Sequence, residues 1–79
     1  MVMNIEKVVD IINFLEKTDF ARITTYSYIL LTGIRTFNAT IDVEHDKIIL
    51  DIFDNLTNNK DIIVCDTLEQ LKEVIEVEI

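Results

Sequence analysis

The sequence predicts an α+β fold: an N-terminal helix, an antiparallel meander of three to four strands and a C-terminal helix, forming a single domain over residues 1–79. Three observations predict it. Apolar residues recur at helical spacing near both ends, in NIEKVVDIINFLEK and TLEQLKEVIE. Between them Phe37, Ala39, Ile41 and Val43 alternate with Thr36, Asn38, Thr40, Asp42 and Glu44, the period-2 pattern of a strand with one dry face. With one glycine and no proline, the chain has little loop composition and reads as almost entirely regular structure.

Residues 4–17 form the first helix, with Asn4 in the N-cap position. Glu6, Asp10, Asn13 and Lys17 make one polar stripe. The remaining face, from Ile5 to Leu15, is wider than the roughly 100° of an ordinary surface helix, so cover on more than one side is expected.

Thr18 to Gly33 supports two readings. Phe20, Ile23, Tyr26 and Leu30 have helical spacing ending at Gly33, but the run ITTYSYILLT is rich in β-branched and aromatic residues, which favours a strand. As a strand it would turn through Leu31-Thr32-Gly33, with Gly33 in a left-handed conformation, and pair Leu30 with Ile34. Ile23 would then face Ile41, Ala21 would face Val43, and Arg22 would meet Asp42. The next hairpin turns at His45-Asp46, with Glu44 opposite Lys47, Val43 opposite Ile48, Ile41 opposite Leu50 and Ala39 opposite Ile52.

NLTNNK, residues 55–60, is the one stretch of loop composition, and Asp61 to Cys65 reads as a short further strand. Asp66 or Thr67 caps the second helix, since Thr67 with Gln70 and Asp66 with Glu69 both have capping-box spacing. Leu68, Leu71, Val74 and Ile75 form its apolar face. The tail IEVEI either frays or adds an edge strand.

Net charge is −8, all of it in the second half. Residues 1–41 hold four acids and four bases, whereas residues 42–79 hold eleven acids against Lys47, Lys60 and Lys72. That balance disfavours direct nucleic-acid binding and anionic membrane surfaces, both of which need clustered Lys and Arg. No apolar run approaches the roughly 18 residues of a membrane span. The N-terminus has acids inside its apolar region, unlike a signal peptide, so a cytoplasmic protein is expected.

Catalytic and cofactor patterns are missing. The single glycine excludes a glycine-rich phosphate loop, and the single histidine, His45, excludes a metal site with two imidazoles from one chain. His45 reads as a solvated turn residue. Cys65, the only cysteine, reads as a small core residue in DIIVC, with nothing basic beside it to activate the thiol. Counted from Asp42, the calcium-loop positions for Gly and Glu hold Lys47 and Phe53. The expectation is therefore no catalytic residue, no cofactor and no metal.

What remains is surface. In the register above, the outer face of the sheet carries Tyr26, Tyr28, Leu30, Ile34, Ile49 and Phe53, too apolar for a solvated face, so either the second helix covers it or it meets a partner or a second copy. Tyr26, Tyr28, Ile49 and Phe53 are the candidate protein interface, and Asp42, Glu44, Asp46, Asp51 and Asp54 a candidate acidic surface. The order helix, three-strand meander, helix resembles the double-stranded-RNA-binding domain in topology. That family carries a basic cluster at the start of its last helix, where this chain has the acidic DTLEQLKEVIE, so neither RNA binding nor any residue is carried over.

The leading expectation is a small, acidic, non-catalytic α+β protein that binds another protein as a regulator or adaptor, forms a homodimer, and belongs among the products of phages or mobile elements. Two alternatives stand beside it. The acids could imitate nucleic acid and inhibit a nuclease or DNA-binding protein, or an oligomer could assemble a small enzyme's site across subunits.

Overall fold

The chain enters its first helix through Asn4, whose side-chain oxygen accepts the Lys7 backbone N–H at 2.8 Å. A computed structural model describes residues 2–78. They form α1 (Ile5–Lys17), β1 (Ala21–Thr24), β2 (Ser27–Leu31), β3 (Arg35–Asp42), β4 (Lys47–Asp54), β5 (Lys60–Cys65) and α2 (Leu68–Glu78). The strands make one antiparallel meander in the order β1-β2-β3-β4-β5, so the α+β class holds with five strands.

The helix ends are set by side chains. α1 stops in a left-handed turn at Asp19 (φ 70°): the Phe20 N–H returns to the Leu15 carbonyl at 3.0 Å and the Asp19 N–H to Glu16 at 3.3 Å. Phe20 and Leu15 are both buried, the apolar contact that accompanies this motif. α2 opens with the capping box read from the sequence. Gln70 N–H donates to Thr67 Oγ1, while Gln70 Oε1 accepts from the N–H groups of Thr67 and Asp66. In the tail, α2 runs to Glu78, where Arg35 bonds both the carboxylate and the carbonyl, and Ile79 lies outside the described residues.

Both helices lie on one face of the sheet. Val8, Ile11 and Leu15 of α1 and Leu71 and Ile75 of α2 share a core with Tyr28, Phe37, Ala39, Ile41, Ile48, Leu50, Ile52 and Cys65. Each large buried side chain contributes about 1.5–3 kcal/mol. The cover expected on more than one side of α1 is met in part: Ile12 and Phe14 pack against the core and α1 touches α2, while Ile5 and Val9 are exposed.

Two registers differ from expectation. At β3–β4 the loop is four residues, Val43 to Asp46, so Ile41 faces Ile48 and Ala39 faces Leu50. The shift is two residues, and every side chain keeps its face. Asp42 makes the longer loop possible by accepting the His45 N–H at 3.2 Å, and Asp46 adopts the left-handed conformation (φ 56°).

The other difference changes faces. Residues 21–31 are two strands rather than one, broken by a turn at Thr25 and Tyr26 in which Thr24 Oγ1 accepts the Tyr26 N–H. Tyr28 therefore pairs with Ala39 and Leu30 with Phe37. The predicted alignment is off by three, an odd number, which turns Tyr28 and Leu30 toward the helices and Ile29 and Leu31 away. Arg22 lies opposite Tyr28 rather than Asp42. Gly33 is not left-handed. The β2–β3 turn is held by Thr32, whose Oγ1 accepts the Ile34 and Arg35 N–H groups.

These placements set clear stability differences. Tyr28 is 1% exposed and Tyr26 45%, so Tyr28→Ala is expected to cost about 3–5 kcal/mol in urea unfolding and Tyr26→Ala no more than about 0.5 kcal/mol. Asp19→Gly should raise stability by up to about 1 kcal/mol in the same assay, since glycine takes a positive φ without steric cost.

Candidate interaction surface

Strand parity builds this surface. β3 through β5 put odd-numbered Phe37, Ala39 and Ile41, even-numbered Ile48, Leu50 and Ile52, and Cys65 against the helices. The alternate residues face away, and pairing aligns them in rows. One row is Leu31, Thr36, Phe53 and Lys60; the next is Ala21, Ile29, Asn38, Asp51 and Ile62; the third is Thr24, Ser27, Thr40, Ile49 and Val64.

No helix shields these rows. Leu31 is 69% exposed, Ile62 60% and Val64 58%, while Ile29, Ile49 and Phe53 are half-buried by their neighbours. Val64 stands directly across from Ile49, and Ile62 across from Asp51, beside Phe53's row. Ile49, Phe53, Ile62 and Val64 thus form a contiguous apolar patch at the β5 edge. Beside it Thr36, Asn38, Asp51, Phe53, Asn55 and Lys60 line a shallow concavity of ≈ 470 Å³.

The patch is electrically quiet. In those three rows of a chain with net charge −8, the charged residues are Asp51 and Lys60, with carboxylate and ammonium 4.0 Å apart. Charged residues are depleted at the centres of protein interfaces, and aromatic residues are enriched there.

Of the predicted interface residues, Ile49 and Phe53 lie together on this face. Tyr28 does not: it is in the core, with its hydroxyl 3.5 Å from the Thr25 carbonyl, because of the three-residue register difference. Tyr26 is exposed, but in the β1–β2 turn at the far edge of the sheet. Ile62 and Val64 are the surface residues that sequence reasoning left out. The signal lies in the alternation of Ile62 and Val64 with Ile63 and Cys65, but only pairing with β4 decides which of those two faces is open.

The candidate acidic residues do not form a row. Asp42 closes the β3–β4 loop, its carboxylate on His45 Nδ1 at 2.9 Å and on the His45 N–H. Asp46 pairs with Lys7 at 2.8 Å, and Lys47, expected opposite Glu44, pairs with Asp66. Asp51 lies by Lys60 on the sheet face. Asp54 accepts the Leu56 and Thr57 N–H groups at the opposite end of β4 from Asp42. Glu44 is exposed at the hairpin tip.

Among the described residues no group of three or more His, Cys, Asp or Glu side chains is arranged to hold a metal ion. Cys65 is 2% exposed, and burial, helped by the Asp66 carboxylate, pushes its thiol up and away from the reactive thiolate. Among the described residues no helix is long and apolar enough to cross a membrane. Comparison of the chain with protein-family models, with curated proteins and with solved structures finds no match in any of the three.

The charged groups outside the patch make stability depend on pH. The Leu56 and Thr57 N–H groups hold the Asp54 carboxyl below its ordinary 3.8, and the Lys47 hydrogen bond does the same for Asp66. Folding therefore favours the ionised carboxylates. Their contribution is present above the ordinary value and is lost as pH falls through the lowered one. Thermal midpoints measured from about pH 6 down to about pH 2 should fall most steeply below the ordinary carboxylate range. Asp54→Asn, which keeps an acceptor for the turn but no charge, should flatten that acid limb.

Proposed function

We propose that this protein is a non-catalytic binding module that acts by engaging another protein through the open face of its sheet. The observation that carries the reading is the patch of half-buried Ile49 and Phe53 with exposed Ile62 and Val64, on a sheet whose other face takes both helices and whose only charges in those rows are the Asp51–Lys60 pair. Apolar side chains left in water on a rigid sheet, ringed by Thr36, Asn38 and Thr40, gain on contact with a complementary surface about 25 cal/mol per Å² of apolar area removed from water. The sheet is already formed, so little ordering cost opposes binding. A cytoplasmic location fits the same proposal.

The nucleic-acid-mimicking reading has less support. It needs carboxylates displayed in a row, and Asp42, Asp46 and Asp54 are engaged in turns or with Lys7. A site shared across subunits finds support in no particular cluster of groups.

The test is capture of a host protein on the immobilised chain, comparing wild type with an Ile49→Thr/Phe53→Thr variant, which keeps β-branched residues in β4. The variant is expected to lose at least about tenfold in affinity while retaining the wild-type circular dichroism spectrum. Wild-type binding should change little between about 50 mM and about 500 mM salt. Equal capture by both proteins would contradict the proposal, and a steep loss of binding with salt would favour mimicry.

A further inference from the structure

The two edges of the sheet are not alike. β1 is four residues long and its pairing is interrupted by a register shift between Arg22 and Thr24, a device that blunts an edge against further strand pairing. β5 is six residues, pairs with β4 without a shift, and contains neither glycine nor proline. Its direction of hydrogen bonding follows from the turn that precedes it. The Asp54 N–H donates to the Asn59 carbonyl at 2.8 Å, so by antiparallel alternation residues 61, 63 and 65 bond to β4. The N–H and C=O groups of Lys60, Ile62 and Val64 point outward.

We infer that the free edge of β5 pairs antiparallel with β5 of a second copy of this chain, about a twofold axis at Ile63, to form a continuous ten-stranded sheet. The assignment rests on the reading of this surface as an interaction site, but it makes a different contact: backbone edge to backbone edge, not the open face. Three symmetric registers keep apolar faces aligned near the middle of the strand. Centred on Ile62, the pairing sets Lys60 against Val64 and Asp61 against Ile63. Centred on Val64, it sets Ile62 against Asp66. Centred on Ile63, it sets Asp61 against Cys65 on the helix side, but on the open face it sets Ile62 against Val64 of the second copy and Lys60 against Asp66 of the second copy, so there apolar meets apolar and cation meets anion. Ile62 and Val64 then exchange backbone hydrogen bonds with each other across the axis, using the groups that point outward.

The helix side of the same edge also fits. Ile63, Val74 and Val77 line an apolar groove of ≈ 240 Å³ between β5 and α2, bordered by Glu73 and by Glu78, which is paired with Arg35. The second copy's Ile63 and Val77 fill that groove. What opposes association is the net charge of −8 on each chain, so the dimer tightens as salt rises.

Sedimentation equilibrium and thiol cross-linking test this together. The wild-type chain is expected to approach twice 9.2 kDa at about 500 μM, more completely at about 500 mM than at about 50 mM salt. Ile62→Pro removes an outward N–H that β4 does not use, so it should weaken the dimer at least tenfold without loss of fold. In a Cys65→Ala background, Ile63→Cys should oxidise to a covalent dimer and Ile62→Cys should not. Directly opposed residues in a pair without mutual hydrogen bonds lie about 4.5 Å apart, within disulfide reach. A monomer at the highest concentration, a dimer unchanged by Ile62→Pro, or cross-linking through position 62 in place of 63 would overturn the inference. The Ile49→Thr/Phe53→Thr variant should dimerise like the wild type. Loss of partner capture with dimerisation intact in that variant therefore reports on the open face, whereas loss of dimerisation by Ile62→Pro reports on the edge.

Discussion

Everything in this molecule depends on one steric fact: successive side chains of a strand point to opposite faces, and two helices are enough to cover only one face of a five-stranded sheet. Tyr28, Phe37, Ala39, Ile41, Ile48, Leu50 and Ile52 all fall on the covered face because the pairing keeps their parity in step from β2 to β4. The same arithmetic puts Ile29, Ile49, Phe53, Ile62 and Val64 in water. The core and the exposed patch are two consequences of one register.

Charge is distributed so as to leave that patch alone. Lys7, Asp46, Lys47 and Asp66 form ion pairs at the end where α1, the β3–β4 hairpin and the entry to α2 converge, with the Lys7 ammonium also donating to the Asp66 carbonyl. Arg35 and Glu78 pair at the end of α2. Pairs this exposed add little stability singly, but they tie the helix termini to the strands. The acidic balance thus sits in loops, caps and helix surfaces, while the rows between them are apolar or neutral.

Much of this was legible in the sequence where hydrogen-bonding chemistry is local. Asn4 and the Thr67–Gln70 box announce the helix starts, and the alternation from Phe37 to Ile41 announces β3 and its dry face. The β3–β4 register is nearly legible, since the offset of two preserves parity even though Asp42 and Asp46 build a longer loop than expected. The break at Thr25 and Tyr26 is not legible in the same way. It contains no Gly, Pro, Asn or Asp and turns on a threonine hydroxyl, while the real glycine, Gly33, sits in a turn that Thr32 holds instead. That hidden turn moved Tyr28 from the supposed surface into the core. Ile62 and Val64 were obscured for a different reason: their face is decided only by pairing with β4, a contact with no local signature.

The parity of the sheet decides which side chains can meet a partner. The most direct measurement is the broadening of side-chain NMR signals by a soluble paramagnetic agent, at a concentration where the chain is monomeric. Strong broadening is expected for Ile29, Ile49, Ile62 and Val64 and protection for Tyr28, Ile48, Leu50 and Ile52. Protection of Ile49, Ile62 and Val64, or broadening of Tyr28, would contradict it.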